Sequence, residues 1–137
     1  MNTYSINDEN LINSIEYRNF LKNNPSRGYL NIRAYAASQA IPISGLKVNV
    51  STNIGNNKVI FFEGSTNSSG IIGGIALPAP TLNPNDLEAP SKTEYEIEAI
   101  YTPDNLDKIY KVNIYENVSV IQNISIVPDT NLGMGAI

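Results

Sequence analysis

Three glutamates stand at every second position of one short segment of the chain, as Glu94, Glu96 and Glu98. Side chains two residues apart share a face of a β-strand, and paired carboxylates on one face are the groups with which glycosidases act. Carboxylates in such a row are more often simply the solvated side of a strand. We therefore predict no catalytic residue from this pattern, and the sequence favours a protein that is not an enzyme.

Four oxygen-bearing residues, Asn83, Asn85, Asp86 and Glu88, lie close together and are candidate ligands for Ca²⁺. Their spacing lacks the EF-hand pattern and its central glycine, so we interpret the segment as a loop. The prediction is that the chain has no metal site and no cofactor site.

The residue types that the sequence lacks exclude several kinds of functional site. The 137 residues include no cysteine, which excludes disulfides and zinc–thiolate sites, and no histidine, the commonest general base and metal ligand. A net charge of −4 argues against nucleic acid as a partner. We find no apolar run long enough for a membrane span and no secretory signal at the start. The expected location is therefore the cytoplasm of a bacterial cell.

Three tyrosines are candidates for an exposed binding face: Tyr29 and Tyr35 on one predicted strand, and Tyr115 on another. Tyrosine on a sheet face serves both carbohydrate binding and protein–protein contact. The sequence leaves these two alternatives open.

Alternation of apolar and polar residues is the main structural signal. In the clearest run Leu30, Ile32 and Ala34 share one face, while the residues between them are polar or charged. Short strands at regular spacing with no helices between them predict an all-β sandwich of seven strands. The predicted strands are Tyr29–Ala36, Leu46–Ser51, Lys58–Glu63, Ile71–Leu77, Thr93–Tyr101, Lys108–Tyr115 and Val118–Val127.

The predicted sandwich occupies residues 28–128, and both flanking segments differ from it. Residues 1–27 form an arm that is helical or extended, with a helix over Glu9–Lys22 whose apolar residues surround most of its circumference. Such a helix either lies across its own sheet or docks on a neighbouring subunit. Residues 129–137 are an apolar, glycine-rich tail.

Several motifs carry a resemblance to a known superfamily. The turn Thr66–Ile71 and the segments Tyr95–Ala99 and Val118–Pro128 resemble the carboxypeptidase-regulatory-like and Cna-B-like domains. The resemblance implies an immunoglobulin- or prealbumin-like sandwich. More narrowly, Leu77–Pro80 and Ile121–Ile124 are similar to the N-terminal propeptide domain of clostridial spore cortex-lytic enzymes.

This narrower resemblance implies the accessory part of a spore system without its catalyst. We expect a non-enzymatic structural module that self-associates through its terminal arms into a homo-oligomer or filament. It would be made in the mother cell and deposited on the spore surface or in another extracellular assembly. The alternative is an accessory module that binds peptidoglycan or a cortex-lytic hydrolase. The expected subunit contacts are Leu11, Ile15, Phe20, Leu132, Met134 and Ile137.

Some Cna-B domains contain a Lys–Asn isopeptide bond, so the resemblance raises that question here. Asn123 lies in the last predicted strand, but the matching position of the first strand holds Arg33, whose guanidinium is not a nucleophile. Lys47 is the remaining candidate, on the polar face of the second strand. We interpret Lys47 as solvated, because lysine is rarely buried without a partner.

Overall fold

The computed structural model describes residues 2–36, 41–85, 88 and 90–126. Within them it has two helices, α1 (Glu9–Ile12) and α2 (Ile15–Asn23), and a 3-10 turn at Thr102–Asp104. The strands are β1 (Thr3–Ser5), β2 (Ser26–Ala36), β3 (Ile41–Pro42), β4 (Lys47–Ile54), β5 (Asn57–Ser65), β6 (Ile71–Ala79), β7 (Thr93–Tyr101), β8 (Leu106–Ile114) and β9 (Ser119–Ile126).

The strands form two sheets. The first sheet has the order β1-β5-β4-β7-β8 and is antiparallel except where β1 runs parallel to β5. In the second sheet β2 is antiparallel to β6 and, at its end, to β3, while β9 runs parallel to β2 along its other edge. The predicted all-β sandwich is confirmed.

The core lies between the two sheets and follows the alternation seen in the sequence. Leu30, Ile32 and Ala34 of β2 are buried, and the residues between them face outward. Burial of this kind contributes about 1.5–3 kcal/mol for each large apolar side chain. The other buried apolar residues of this core are Ala36, Leu46, Val48, Val50, Ile75, Leu77, Ala79, Tyr95, Ile97, Ala99, Ile114, Ile124 and Ile126.

Tyr95 joins the two sheets by a hydrogen bond. Its hydroxyl donates to the main-chain oxygen of Pro78 at 2.5 Å, deep in the core. Burial raises the pKa of this hydroxyl well above its ordinary value, because ionisation without water is costly. The neutral hydroxyl is therefore a structural donor.

A bulge in β5 brings aromatic rings inward. Val50 pairs with Phe62 and Ser51 with Ile60, which leaves Phe61 without a partner in β4. The Phe61 ring packs edge-on against Tyr95, with 5.6 Å between ring centroids. The extra residue thus restores Ser51 and Ile60 to the outer face while Phe61 contributes to the core.

The two glycines of β6, Gly73 and Gly74, mark a second bulge. Leu30 pairs with Ile75 but Ile32 pairs with Ile72, so Gly73 and Gly74 lie opposite Asn31. Gly74 has a positive φ of 67°. The Asn31 side chain accepts a hydrogen bond from the Gly74 amide at 2.9 Å and thereby replaces the interrupted pairing.

The N-terminal segment differs from the predicted single helix over Glu9–Lys22. The helix is broken at Asn13, and Ser14 begins α2 by accepting a hydrogen bond from the Tyr17 amide through its side chain. Before the helices, β1 adds to the edge of the first sheet. The pairing of β1 with β5 thus attaches the N-terminal segment to the sandwich of its own chain.

Candidate functional site

Charged residues are concentrated on the strands of the first sheet. The outer face of β7 presents the three glutamates, and lysines lie on the flanking strands. The charged residues of these strands are Lys47, Lys58, Glu63, Glu94, Glu96, Glu98, Asp107, Lys108 and Lys111. The outer face of this sheet is therefore the place to look for ionic or acid–base chemistry.

A small cleft opens in this face where β4 and β7 diverge. Their ladder ends at the pair Ser51–Glu96, and beyond it the Thr52 hydroxyl donates to the Glu94 carbonyl at 2.8 Å. The cleft has a volume of about 100 Å³. We call it the Glu96 cleft, and its lining residues are Ser51, Thr52, Asn53, Glu94, Tyr95, Glu96 and Lys111.

Glu96 lies between cationic side chains from two different strands. Lys111 of β8 is its direct partner across the sheet, at the short spacing of about 5 Å between Cβ atoms that such pairs have. On the other side, Lys58 Nζ of β5 is 4.0 Å from Glu96 Oε2. Their side chains keep 28% and 36% of their exposure, for Lys58 and Glu96 respectively, so solvent reaches both groups.

Ser51 is the other neighbour of Glu96 and lies at the bottom of the cleft. It pairs directly with Glu96 on one side and with Ile60 on the other, and it is only 3% exposed. Ser51, Glu94, Glu96 and Lys111 therefore line one opening, and Lys58 pairs with Glu96 from outside the lining. Such a set can accept a proton, stabilise a developing negative charge and orient water.

The three predicted tyrosines do not form one platform. Tyr29 and Tyr35 do lie on the outer face of β2, but six residues along a strand separate them by about 20 Å. Tyr115 follows β8, near the start of β2, where its main chain lies against Gly28. All three are half-buried. Tyr29 and Tyr35 are thus too far apart to stack on one sugar ring, and a carbohydrate or partner face remains a prediction.

The predicted subunit contacts fall in different places. Leu11 is 4% exposed and packs against Ile54 and Val59 of its own chain. Phe20 packs against Phe61, with 5.6 Å between ring centroids. Ile15 is 69% exposed. Leu132, Met134 and Ile137 lie outside the described residues.

The isopeptide candidates lie on opposite sides of the molecule. Lys47 is exposed on the outer face of the first sheet, where it pairs with Ser65 and Ile100. Asn123 is exposed in β9 of the second sheet, opposite Arg33. The core separates the two side chains, so the interpretation of Lys47 as solvated fits its position.

The loop considered for Ca²⁺ is only partly described. Asn83 accepts a hydrogen bond from the Asn85 amide at 3.0 Å, which is a turn within the loop. Asp86 lies outside the described residues. Within the described part of the chain no three acidic residues are grouped as metal ligands, and no helix there is long and apolar enough to cross a membrane.

Ser51, Lys58 and Lys111 were not among the predicted site residues. Alternation alone places each of them on the wet face of its strand, but only the registers of β5, β4, β7 and β8 show that they meet at Glu96. No local pattern encodes those registers.

Comparisons with known proteins identify the fold. The chain has 16% identity and a TM-score of 0.50 to the structure of Klebsiella pneumoniae 5-hydroxyisourate hydrolase, covering 74% of this chain and 91% of that one. It has 11% identity and a TM-score of 0.50 to the crystal structure of (S)-allantoin synthase, covering 77% of this chain and 42% of that one. No family model and no curated protein matches the chain. The all-β fold is therefore a prealbumin-like sandwich, as predicted.

These comparisons correct the functional prediction. We expected a non-enzymatic assembly module, or else an accessory module for peptidoglycan or a cortex-lytic hydrolase. Both of these structures are named as enzymes, so the expectation of a non-enzyme is wrong. Neither structure is a spore cortex-lytic propeptide, and the spore, Clostridia and self-assembly predictions gain no support from them.

Proposed function

We propose that the protein is a hydrolase that opens small cyclic amides or ureides at the Glu96 cleft. The observation that carries the proposal is that Ser51, Glu96 and Lys111 line a single opening of the sheet, while the Lys58 ammonium group, outside the lining, lies 4.0 Å from the Glu96 carboxylate. The full chain has no histidine or cysteine, so the proton acceptor and any charge-stabilising group must come from other residue types.

In the proposed reaction Glu96 accepts a proton from a water molecule as the water oxygen bonds to the ring carbonyl carbon. The carbonyl electron pair moves onto its oxygen, where the ammonium groups of Lys58 and Lys111 stabilise the negative charge. The carbon–nitrogen bond then breaks, and the proton held by Glu96 passes to the leaving nitrogen. The products together contain the atoms of the substrate and one water, with no other reactant.

Ser51 has a positioning role in this scheme. Ser51 is buried beside Glu96 and lines the cleft, so in this scheme its hydroxyl donates to the carboxylate or to the attacking water. A hydroxyl held by the backbone of a central strand is positioned more rigidly than one on a loop.

The size of the cleft limits the substrate. Pockets that enclose a whole organic ligand have volumes of about 300–1,000 Å³, and the Glu96 cleft has about 100 Å³. It therefore admits the carbonyl edge of a ring while the rest of the substrate lies on the open polar face. One structure that shares the fold is named a 5-hydroxyisourate hydrolase, which supports including 5-hydroxyisourate among the first substrates tested.

The test is a panel of cyclic amides and ureides, 5-hydroxyisourate among them, incubated with purified protein. Mass spectrometry then detects a product that has gained one water. We expect turnover of at least one member of the panel. Replacement of the general base by Glu96→Gln should lower kcat/KM by about 100-fold or more.

Glu98→Gln is the matched control. Glu98 lies on the same strand and face as Glu96 but pairs with Asn49 and Ile109, outside the cleft. Its loss should leave kcat/KM within about twofold of wild type. Equal losses of kcat/KM in the two variants would refute the proposal, and so would the absence of turnover of any substrate by the wild type.

A further inference from the structure

The second sheet differs from the first in charge. Its strands β2, β3, β6 and β9 carry only two charged residues, Arg27 and Arg33, and both are positive. The whole chain has a net charge of −4, so these arginines stand out against an acidic protein. Both lie on the outer face of β2, about 20 Å apart along the strand.

Arg33 lines a cleft of about 280 Å³ at the end of the sheet. The cleft lies between the end of β2, the short strand β3 and the turn that precedes β6. Its lining residues are Arg33, Ala34, Tyr35, Pro42, Ser68 and Ser69. The volume is close to the lower limit for small-molecule pockets.

Arg33 has no acidic partner within the described part of the chain, where the one ion pair joins Lys58 to Glu96. Its neighbours across the sheet are Asn123 and Ile71, which are uncharged. At the other end of β2 the surroundings differ, because the Glu116 carboxylate accepts a hydrogen bond from Ser26, next to Arg27. Neither arginine forms an ion pair within the described residues, and Arg33 differs from Arg27 in lining this cleft.

The turn that carries Ser68 and Ser69 is held in one conformation. The Asn67 side chain accepts hydrogen bonds from the amides of Ser69 at 2.9 Å and Ile71 at 3.0 Å. The Gly70 carbonyl accepts from the Ala34 amide at 2.7 Å, which fastens the turn to β2 beside Arg33. The two serines are therefore kept at a fixed distance from that strand.

We propose that this cleft binds the oxyanion group, carboxylate or phosphate, of a small ligand. The Arg33 guanidinium presents two parallel N–H donors to such a group, and serine hydroxyls supply further donors. Pro42 contributes an apolar side chain to the wall of the cleft. This site lies on the opposite sheet from the Glu96 cleft, and binding there is independent of hydrolysis at that cleft.

The test is an NMR titration of the amide spectrum with sodium phosphate in one series and sodium acetate in another, at constant ionic strength. We expect saturable shifts at Arg33, Ser68 and Ser69. Saturation by phosphate alone identifies a phosphoryl ligand and saturation by acetate alone a carboxylate, and either result supports the site. If neither the phosphate series nor the acetate series gave a saturable shift, the proposed site would be refuted.

Arg33→Gln should weaken binding about tenfold or more, the loss expected for a charge-assisted hydrogen bond. Arg27→Gln is the matched control on the same strand and face and should change affinity less than about twofold. If Arg33→Gln does not give a dispersed, folded spectrum, the double variant Ser68→Ala, Ser69→Ala replaces it, with the same expected direction. Equal weakening by Arg27→Gln would show nonspecific attraction and refute the site.

Discussion

Leu11→Ala tests whether the N-terminal segment is part of the sandwich. Leu11 is 4% exposed and packs against Ile54 and Val59, with Tyr17 and Phe20 of α2 around it. Leu→Ala substitutions in cores cost about 2–5 kcal/mol. The lower end applies here, because α1 has four residues and can move to fill part of the cavity. We therefore expect a loss of about 2 kcal/mol.

Urea unfolding followed by circular dichroism measures this loss. With an m-value of about 1.5 kcal/mol/M, a loss of about 2 kcal/mol lowers the midpoint by about 1.3 M. Ile12→Ala is the matched control, since Ile12 is the next residue of α1 and is 47% exposed. Its midpoint should change by less than about 0.3 M.

The opposite ranking would refute the reasoning. If Leu11→Ala left the midpoint unchanged while Ile12→Ala lowered it, the segment would pack in a different orientation from the one described. A second outcome would also contradict it. If dilution lowered the urea midpoint of the wild type but not that of Leu11→Ala, Leu11 would stabilise a contact between molecules.

Three further predictions concern the sandwich. Gly70→Ala should cost about 3 kcal/mol or more in urea unfolding, because a Cβ there lies 2.4 Å from the Ala34 oxygen at a positive φ of 75°. Gly45→Ala, at φ 79° with no atom within 4 Å, should cost only about 1 kcal/mol, and equal losses would contradict the role of the close contact. Tyr95→Phe leaves the buried Pro78 oxygen without its donor and should cost about 1–3 kcal/mol, whereas unchanged stability would mean that the hydrogen bond contributes nothing. Burial raises the pKa values of Tyr95, Tyr17 and Tyr110 in the folded state. Since the neutral forms are favoured on folding, this stability is complete below the unfolded tyrosine value of about 10 and is lost as pH rises above it. With no histidine in the chain, the unfolding midpoint should be nearly flat between about pH 6 and pH 9 and fall above about pH 10. A midpoint that rose in alkali would have the wrong sign.

The sandwich could be read from the sequence because its signal is local. The two-residue alternation of β2 and β7 assigns Leu30 and Tyr95 to the core without knowledge of their partners. The parallel pairing of β1 with β5 could not be read in this way, because it joins Tyr4 to Val59 across a large sequence separation. The predicted strand Val118–Val127 begins one residue too early, since β9 begins at Ser119 and Val118 is exposed.

The site was harder to predict than the fold. The alternation of apolar and polar residues identifies Glu96 as a surface residue, and from that alone we interpreted its carboxylate as solvated. The charged partners of Glu96 come from two other strands, Lys58 from β5 and Lys111 from β8. Their positions next to Glu96 depend on the pairing registers and on the bulge at Phe61. Each of those features is set by packing between distant segments.

Hydrolysis in heavy-oxygen water is the most direct test of the Glu96 cleft. A substrate found to turn over is incubated with the wild type and with Glu96→Gln, and the product is examined for the labelled oxygen. We predict one heavy oxygen in the new carboxyl group with the wild type, and at least about 100-fold less labelled product with the variant. Labelled product formed equally fast by both proteins would contradict the assignment of Glu96 as the base.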